Sequence, residues 1–327
     1  MKKNIYLITA LLIFISFSCT KKEEEQPVKP SFELIKNDVI PAFDSDNAFD
    51  HISKFSALGP RVPNSKEHQM AKNYLITVLK PLADSLAITD FIQNGYENDK
   101  LNLTNITASF NPGAKNRIFL CAHWDSRPWA DAEKDKALHT SPVLGANDGG
   151  SGVGVLLELA KVLHAKKVDY GIDLIFFDGE DYGRHSDLSK FFLGSTYFAQ
   201  TKGSYSPAFG ILLDLVGDKE AKFYKEESSI QAAENIVDLV WSAAAATSSK
   251  HFISEPKYAI SDDHTPINQA GIKCIDIIDA ELVGASENIG RRAYWHTLRD
   301  DIDNIGIDTI DDLGKVLNYF IYSLKFN

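Results

Sequence analysis

Three cysteines in 327 residues are too few for a disulfide scaffold, so a packed core has to hold this chain together. There is no surplus of Lys and Arg. The net charge of -11 and a pI near 5.3 argue against nucleic acid or an anionic membrane as the main partner. The apolar run from Ile5 to Phe17 is too short to span a bilayer comfortably. From Phe32 onward there is no low-complexity stretch, no linker and no internal repeat, which makes one domain the simplest account. The glycine-rich segment Gly145–Gly152 lacks the Lys a phosphate-binding loop needs, and no strand leads directly into it. What remains is an acidic chain with 44% hydrophobic residues, enough to form a substantial core. That composition suits an enzyme or a globular binding domain.

The first residues read as a targeting segment. Lys2 and Lys3 precede the apolar run, and the chain turns polar immediately after Ser16-Phe17-Ser18-Cys19. This resembles a bacterial lipoprotein signal in which Cys19 becomes the lipidated first residue, although Ser16 stands where Leu is usual and Phe17 is bulky. The alternative is an ordinary secretory signal with a coincidental cysteine. The expected division is a signal peptide at 1–18, a lipidated Cys19 with a flexible tether at 19–31, and a single domain at 32–327. The tether is charged, contains Pro and has almost no apolar residues. The expected location is that of an exported, membrane-anchored lipoprotein, facing the periplasm or the cell surface. The acidic residues Glu23–Glu25 resemble surface-export signals.

Along the domain, Phe43, Phe49, Ile52 and Phe55 recur at helical spacing until Gly59-Pro60-Arg61-Val62-Pro63 breaks the pattern. Glu67 to Leu79 predicts a second helix. Ala87–Ile92 and Leu101–Phe110 alternate with period 2 and predict adjacent antiparallel strands. Further strands are expected at Arg117–Ala122, Ile172–Phe177, Gly210–Leu212 and Ile272–Ile278. Helices are expected at about Val153–His164, Ile230–Ala246 and Ile310–Phe326. Cys121 and Cys274 fall in core strands and read as buried thiols, with a disulfide between them as the lesser option.

Several strands end in chemistry. The strand closing at Phe177 runs into Asp178-Gly179-Glu180-Asp181, which places two adjacent carboxylates at a strand's C-terminal end, where open α/β sheets bind ligands. Carboxylates are costly to bury unless paired or metal-bound, so the pair suggests a metal site with an adjacent base. A solvated turn is the plain alternative. His123 and Asp125, two apart at the end of another strand, point the same way and could share one metal or one hydrogen bond. Asp148 sits in a glycine-flanked turn before a helix, with Asn147 or Ser151 available as a helix cap.

In order, His123-x-Asp125, Asp148, Glu180-Asp181, Leu213-Asp214, Ser261-Asp262-Asp263-His264-Thr265-Pro266 and His296 resemble the zinc aminopeptidase superfamily over roughly residues 59 to 300. Trp295-His296-Thr297 together with Asp262-Asp263-His264 is similar to the animal-type glutaminyl cyclases and their bacterial relatives. The stretch from His123 to Asp131 is similar to the bacterial members. The resemblance implies an α/β fold of one domain, a central mixed sheet flanked by helices on both faces. It implies conversion of N-terminal glutamine to pyroglutamate with release of ammonia, on peptides or proteins, by a monomer holding one zinc ion. Asp148, Asp181 and His296 would be the zinc ligands, Glu180 the general acid/base, and Asp262 and Asp214 the supporting carboxylates. Trp295, Phe191 and Trp129 would shape the substrate pocket, with Phe192 an alternative to Phe191. Position 181 is Asp where the animal cyclases have Glu, one methylene longer, and the segment Tyr182–Phe192 does not match theirs. His139, His185 and His264 read as pocket-lining or solvent-facing side chains, none of them a ligand. The runner-up is a two-zinc aminopeptidase in which Asp148 bridges, Asp181 and His296 hold one metal, His123 and Asp214 hold the other, and Glu180 activates water. A catalytically silent binding protein on the same scaffold is disfavoured by the intact Glu180, Asp148 and His296.

Overall fold

A computed structural model of the chain describes residues 31–184, 187–284 and 287–327. The signal segment, Cys19, almost all of the tether and His185 lie outside the described residues. The chain opens with a short strand, β1 (Phe32–Leu34), and two helices, α1 (Ser45–Ser56) and α2 (Lys66–Leu79). Each helix starts where a side-chain oxygen takes up an otherwise unpaired backbone N–H: Asp44 accepts from Asn47, and Ser65 from His68. Next come β2 (Ser85–Asn94) and β3 (Lys100–Phe110), antiparallel from Ser85↔Ser109 to Asn94↔Lys100, as their alternation predicts.

The α/β part follows: β4 (Arg117–His123), α3 (Gly150–Ala165), β5 (Gly171–Phe177), α4 (Leu193–Thr201), β6 (Gly210–Asp214), β7 (Phe223–Lys225), α5 (Glu227–Ala246), β8 (Phe252–Pro256), α6 (His264–Gln269) and β9 (Cys274–Ile278). The helix α7 (Ile307–Ser323) and the strand β10 (Leu324–Phe326) end the chain. The main sheet has the order β2-β3-β5-β4-β6-β9, with β5, β4, β6 and β9 mutually parallel. Every residue of β5 is buried, as a strand covered on both faces requires.

Helices cover both faces. On one, α1, α3, α5 and α7 pack their apolar sides over Leu120, Leu174, Ile211 and Ile275. On the other, Phe198 of α4 and Ile267 of α6 pack on Phe119, Cys121, Phe177, Leu212 and Cys274. The two cysteines are free and buried. In α7, Ile310, Leu313, Val316, Leu317, Phe320 and Ile321 are fully buried, each contributing about 1.5–3 kcal/mol relative to exposure. The helix stops at Ser323 and not at Phe326, because Leu324–Phe326 pairs antiparallel with β1 (Phe32↔Phe326). Three residues are too few for periodicity to separate the last turn of a helix from a strand, and the partner lies at the other end of the domain. Among the described residues no helix is long and apolar enough to cross a membrane.

Candidate metal centre

The parallel register brings three strand ends together: His123 lies opposite Phe177, and Cys121 opposite Leu212, two residues before Asp214. Beyond β5 the chain turns at Gly179, with φ of 73°, a left-handed conformation that glycine adopts without strain. The Asp125 carboxylate then accepts the backbone N–H groups of Glu180 at 3.0 Å and Asp181 at 3.2 Å, so it sets the turn that carries both carboxylates. Arg61, fully buried, donates to the carbonyls of Trp124, Leu144 and Gly145 and clamps the loops on either side of Asp125.

Asp148 arrives from the turn before α3. Gly149 has φ of 80°, and a Cβ there would lie 2.8 Å from the His123 ring, so the backbone passes where no side chain fits. The Asp300 carboxylate accepts the N–H groups of Asn147 (2.8 Å) and Asp148 (3.0 Å) and fixes the turn. Neither Asn147 nor Ser151 caps α3, contrary to expectation; the cap position is Gly149, without a side-chain bond. The Asn147 side chain instead donates to the Tyr294 hydroxyl and accepts from Gly217 N–H, while the Ser151 hydroxyl donates to the Asn147 carbonyl and accepts from Val216 N–H. His296 comes from the loop before α7 with φ of 55°, and Leu215, just after Asp214, has φ of 50°. Left-handed backbone at such residues is strained and is held only where the surroundings enforce it.

These elements form two triads that share Asp148. In one, His296 Nε2 lies 3.4 Å from Asp181 Oδ1 and 3.7 Å from Asp148 Oδ2. In the other, His123 Nε2 lies 3.0 Å from Asp148 Oδ1 and 3.3 Å from Asp214 Oδ1. Both His123 nitrogens and Asp181 Oδ2 are buried without a hydrogen-bond partner among the described residues. Buried polar groups are almost always paired. Carboxylates and imidazoles that crowd together without hydrogen-bonding are placed as ligands around a cation, and this donor set suits a divalent metal.

Glu180 belongs to neither triad; its Oε2 is 3.8 Å from His123 Nδ1. Burial pushes its carboxyl well above the ordinary range, with His123 pulling down and Asp181 pushing up. Burial also acts to raise Asp181, but Arg127 and His296 hold it at about 2. Asp148 is raised by burial and then by Asp181.

The cavity above the triads has a volume of about 410 Å³. Asp214 and Asp262 reach it beside Asp148, Glu180 and Asp181, and its walls include Trp295, Phe191 and Phe192. The Trp295 ring stacks on His296 with centroids 3.4 Å apart. Trp129 is elsewhere: it packs with Phe91, Leu101, Leu103 and Tyr182, and its indole N–H donates to the carbonyls of Tyr182 and Gly183. A Cβ on Gly183 would lie 1.9 Å from the Phe191 ring, so Trp129 holds the backbone on which that wall residue rests. His139 is half-buried against the Glu133 carbonyl. His264, expected at the pocket or in solvent, is instead buried behind the site, 3.7 Å from Glu226 and 3.8 Å from Asp276.

Sequence reasoning missed Arg61, Arg127, Asp131 and Asp300. The local hints were a charged residue between two prolines at Arg61 and the His123–Asp131 stretch, which contains Arg127 and Asp131. The partner of Asp300 lies 152 residues away, beyond the reach of any motif.

The chain is similar to several known proteins. A glutaminyl cyclase from Bacteroides thetaiotaomicron is 40% identical with a TM-score of 0.81, covering 87% of this chain and 99% of that one. A Zn-dependent exopeptidase from Parabacteroides distasonis is 38% identical with a TM-score of 0.82 over the same shares. The glutaminyl-peptide cyclotransferase of Gloydius blomhoffii is 25% identical over 253 residues, which cover 67% of this chain and 64% of that protein's length. The profile of peptidase family M28 matches residues 105–321, a span that holds both triads and Glu180, and the chain belongs to that family.

Proposed function

We propose that the chain is a zinc-dependent glutaminyl-peptide cyclotransferase, acting on peptides or proteins with N-terminal glutamine. The observation that carries this reading is the pairing of Trp295, stacked on the candidate ligand His296, with Glu180, a buried carboxylate in neither triad, at one apolar-walled cavity. Asp148, Asp181 and His296 would hold one zinc ion. The chemistry such an ion would supply is Lewis acidity toward the γ-amide carbonyl of the glutamine. The substrate's own α-amine attacks the carbonyl carbon of the γ-amide; the new N–C bond closes the five-membered ring and the bond from that carbon to the amide nitrogen breaks. Glu180 accepts the amine proton and returns it to the departing ammonia. Trp295 and Phe191 favour the folded substrate conformer and keep out water, which would otherwise compete as nucleophile. Asp262 and Asp214, both at the cavity, would be the supporting carboxylates; burial and then repulsion from Asp214 and Asp263 push the Asp262 carboxyl well above its ordinary value.

A two-zinc aminopeptidase is the second reading, favoured by the complete His123–Asp148–Asp214 triad. Incubation with a glutamine-initiated peptide separates the two. Ammonia and pyroglutamyl peptide with one zinc per chain are expected; free N-terminal amino acids with two zinc ions would sink the cyclase.

As a base Glu180 must be ionised, so kcat/KM falls as pH drops through its raised pKa. The acid limb is therefore expected above the ordinary glutamate value of 4.5. A profile flat down to that pH would remove Glu180 from the role. We further propose an exported monomer anchored through lipidated Cys19. Membrane fractionation should then find the Cys19→Ala variant released, and a variant that stays bound would contradict the anchor.

A further inference from the structure

We propose that residues Arg127 to Glu133 form a strap that sets the spacing of Asp181 and His296, with Arg127 and Asp131 as positioning residues for the metal. The inference rests on the reading of Asp148, Asp181 and His296 as a zinc site.

The strap begins with Arg127, whose side chain is almost fully buried. One guanidinium nitrogen donates to Asp181 Oδ1 at 2.5 Å and to the Asp181 carbonyl at 3.3 Å. The remaining fork donates to both oxygens of Asp131, at 2.8 and 2.7 Å. Such a bidentate pair fixes direction as well as distance. Asp131 Oδ1 in turn lies 3.7 Å from His296 Nδ1, on the side of the ring opposite the nitrogen that faces Asp148 and Asp181. The two are beyond hydrogen-bond distance, but the Asp131 charge at that edge favours the proton on Nδ1 and leaves Nε2 free to bind a metal. The backbone repeats the link: Ala132 N–H donates to the His296 carbonyl, and the Glu133 carboxylate accepts Leu298 N–H at 2.9 Å.

One short segment thus grips candidate ligands from two distant parts of the chain, through Arg127 at Asp181 and through Asp131, Ala132 and Glu133 at His296–Leu298. Asp181 needs the grip because its side chain is short and its Oδ2 has no partner among the described residues. The Arg127 guanidinium sits 5.4 Å from the Phe191 ring, so the same residue also backs the cavity wall.

Zinc affinity, measured by competition with a chelator, tests the strap without turnover. Arg127→Gln is expected to weaken zinc about 10- to 100-fold, the range typical of lost outer partners. Arg127→Lys keeps the charge without the fork and should recover only about a few-fold of that loss. Asp131→Asn should weaken zinc with the metal-free melting temperature unchanged, which a merely structural role would not produce. The double variant should lose less than the product of the two single losses, because the Arg127–Asp131 pair is common to both. Wild-type affinity in Arg127→Gln and Asp131→Asn, full rescue by Arg127→Lys, or losses that multiply in the double variant would each overturn the strap. If the wild-type chain binds no zinc, the metal reading fails and the strap with it. A zinc-binding chain without cyclase activity leaves the strap testable on its own.

Discussion

Replacing Glu180 with Gln is expected to leave zinc bound and lower turnover about 10²- to 10⁴-fold, the usual contribution of a positioned acid–base group. Gln matches Glu in shape but cannot take a proton from the substrate amine. The turn that carries position 180 is held by Asp125 through backbone N–H groups, which the substitution does not touch. The site also tolerates a neutral group here, since burial already disfavours the Glu180 charge and Asp181 and Asp262 repel it. Ammonia release from a glutamine-initiated peptide, together with zinc per chain, checks this. Near wild-type turnover would pass the proton transfer to another carboxylate, with Asp214 and Asp262 next in place.

Asp148→Ala should have the opposite signature: a folded chain that no longer retains zinc. Asp148 is the one residue common to both triads, so its loss removes a ligand whichever metal count is correct. The turn itself survives, because Asp300 holds it through the N–H groups of residues 147 and 148 and not through the Asp148 side chain. Removing a carboxyl whose ionisation is opposed by burial and by Asp181 relieves the metal-free chain of a cost. Elemental analysis after desalting reads the result, with the melting temperature of the metal-free form as the folding control. Zinc retained at wild-type stoichiometry would take Asp148 out of the ligand set.

Much of this site was legible because each candidate ligand sits next to a strong local signal. Glu180 and Asp181 follow a glycine and a buried strand that is apolar but for Asp173, Asp214 ends another strand, and Asp148 lies among glycines. Strand direction then puts Glu180, Asp181 and Asp214 at one edge of a parallel sheet, and the turn before α3 brings Asp148 to them. Trp129 shows where local reading stops. A tryptophan six residues after His123 invites a place in the pocket, yet its indole reaches the backbone of Tyr182 and Gly183 and supports the wall from behind. Side-chain direction in a loop depends on what packs against it. The same holds at the end of α7, where pairing with β1 outweighs a helical pattern.

Apolar runs and turn residues are local properties of the chain, and they sufficed to reveal the types of candidate ligand, their order and the strands that lead to most of them. How those candidate ligands are held follows from the packed fold. Asp300 behind Asp148, Arg61 across three loops and the Arg127–Asp131 strap between Asp181 and His296 are contacts over dozens to more than a hundred residues. Such pairings arise from burial, which brings a charged side chain to whichever partner the packed core leaves within reach.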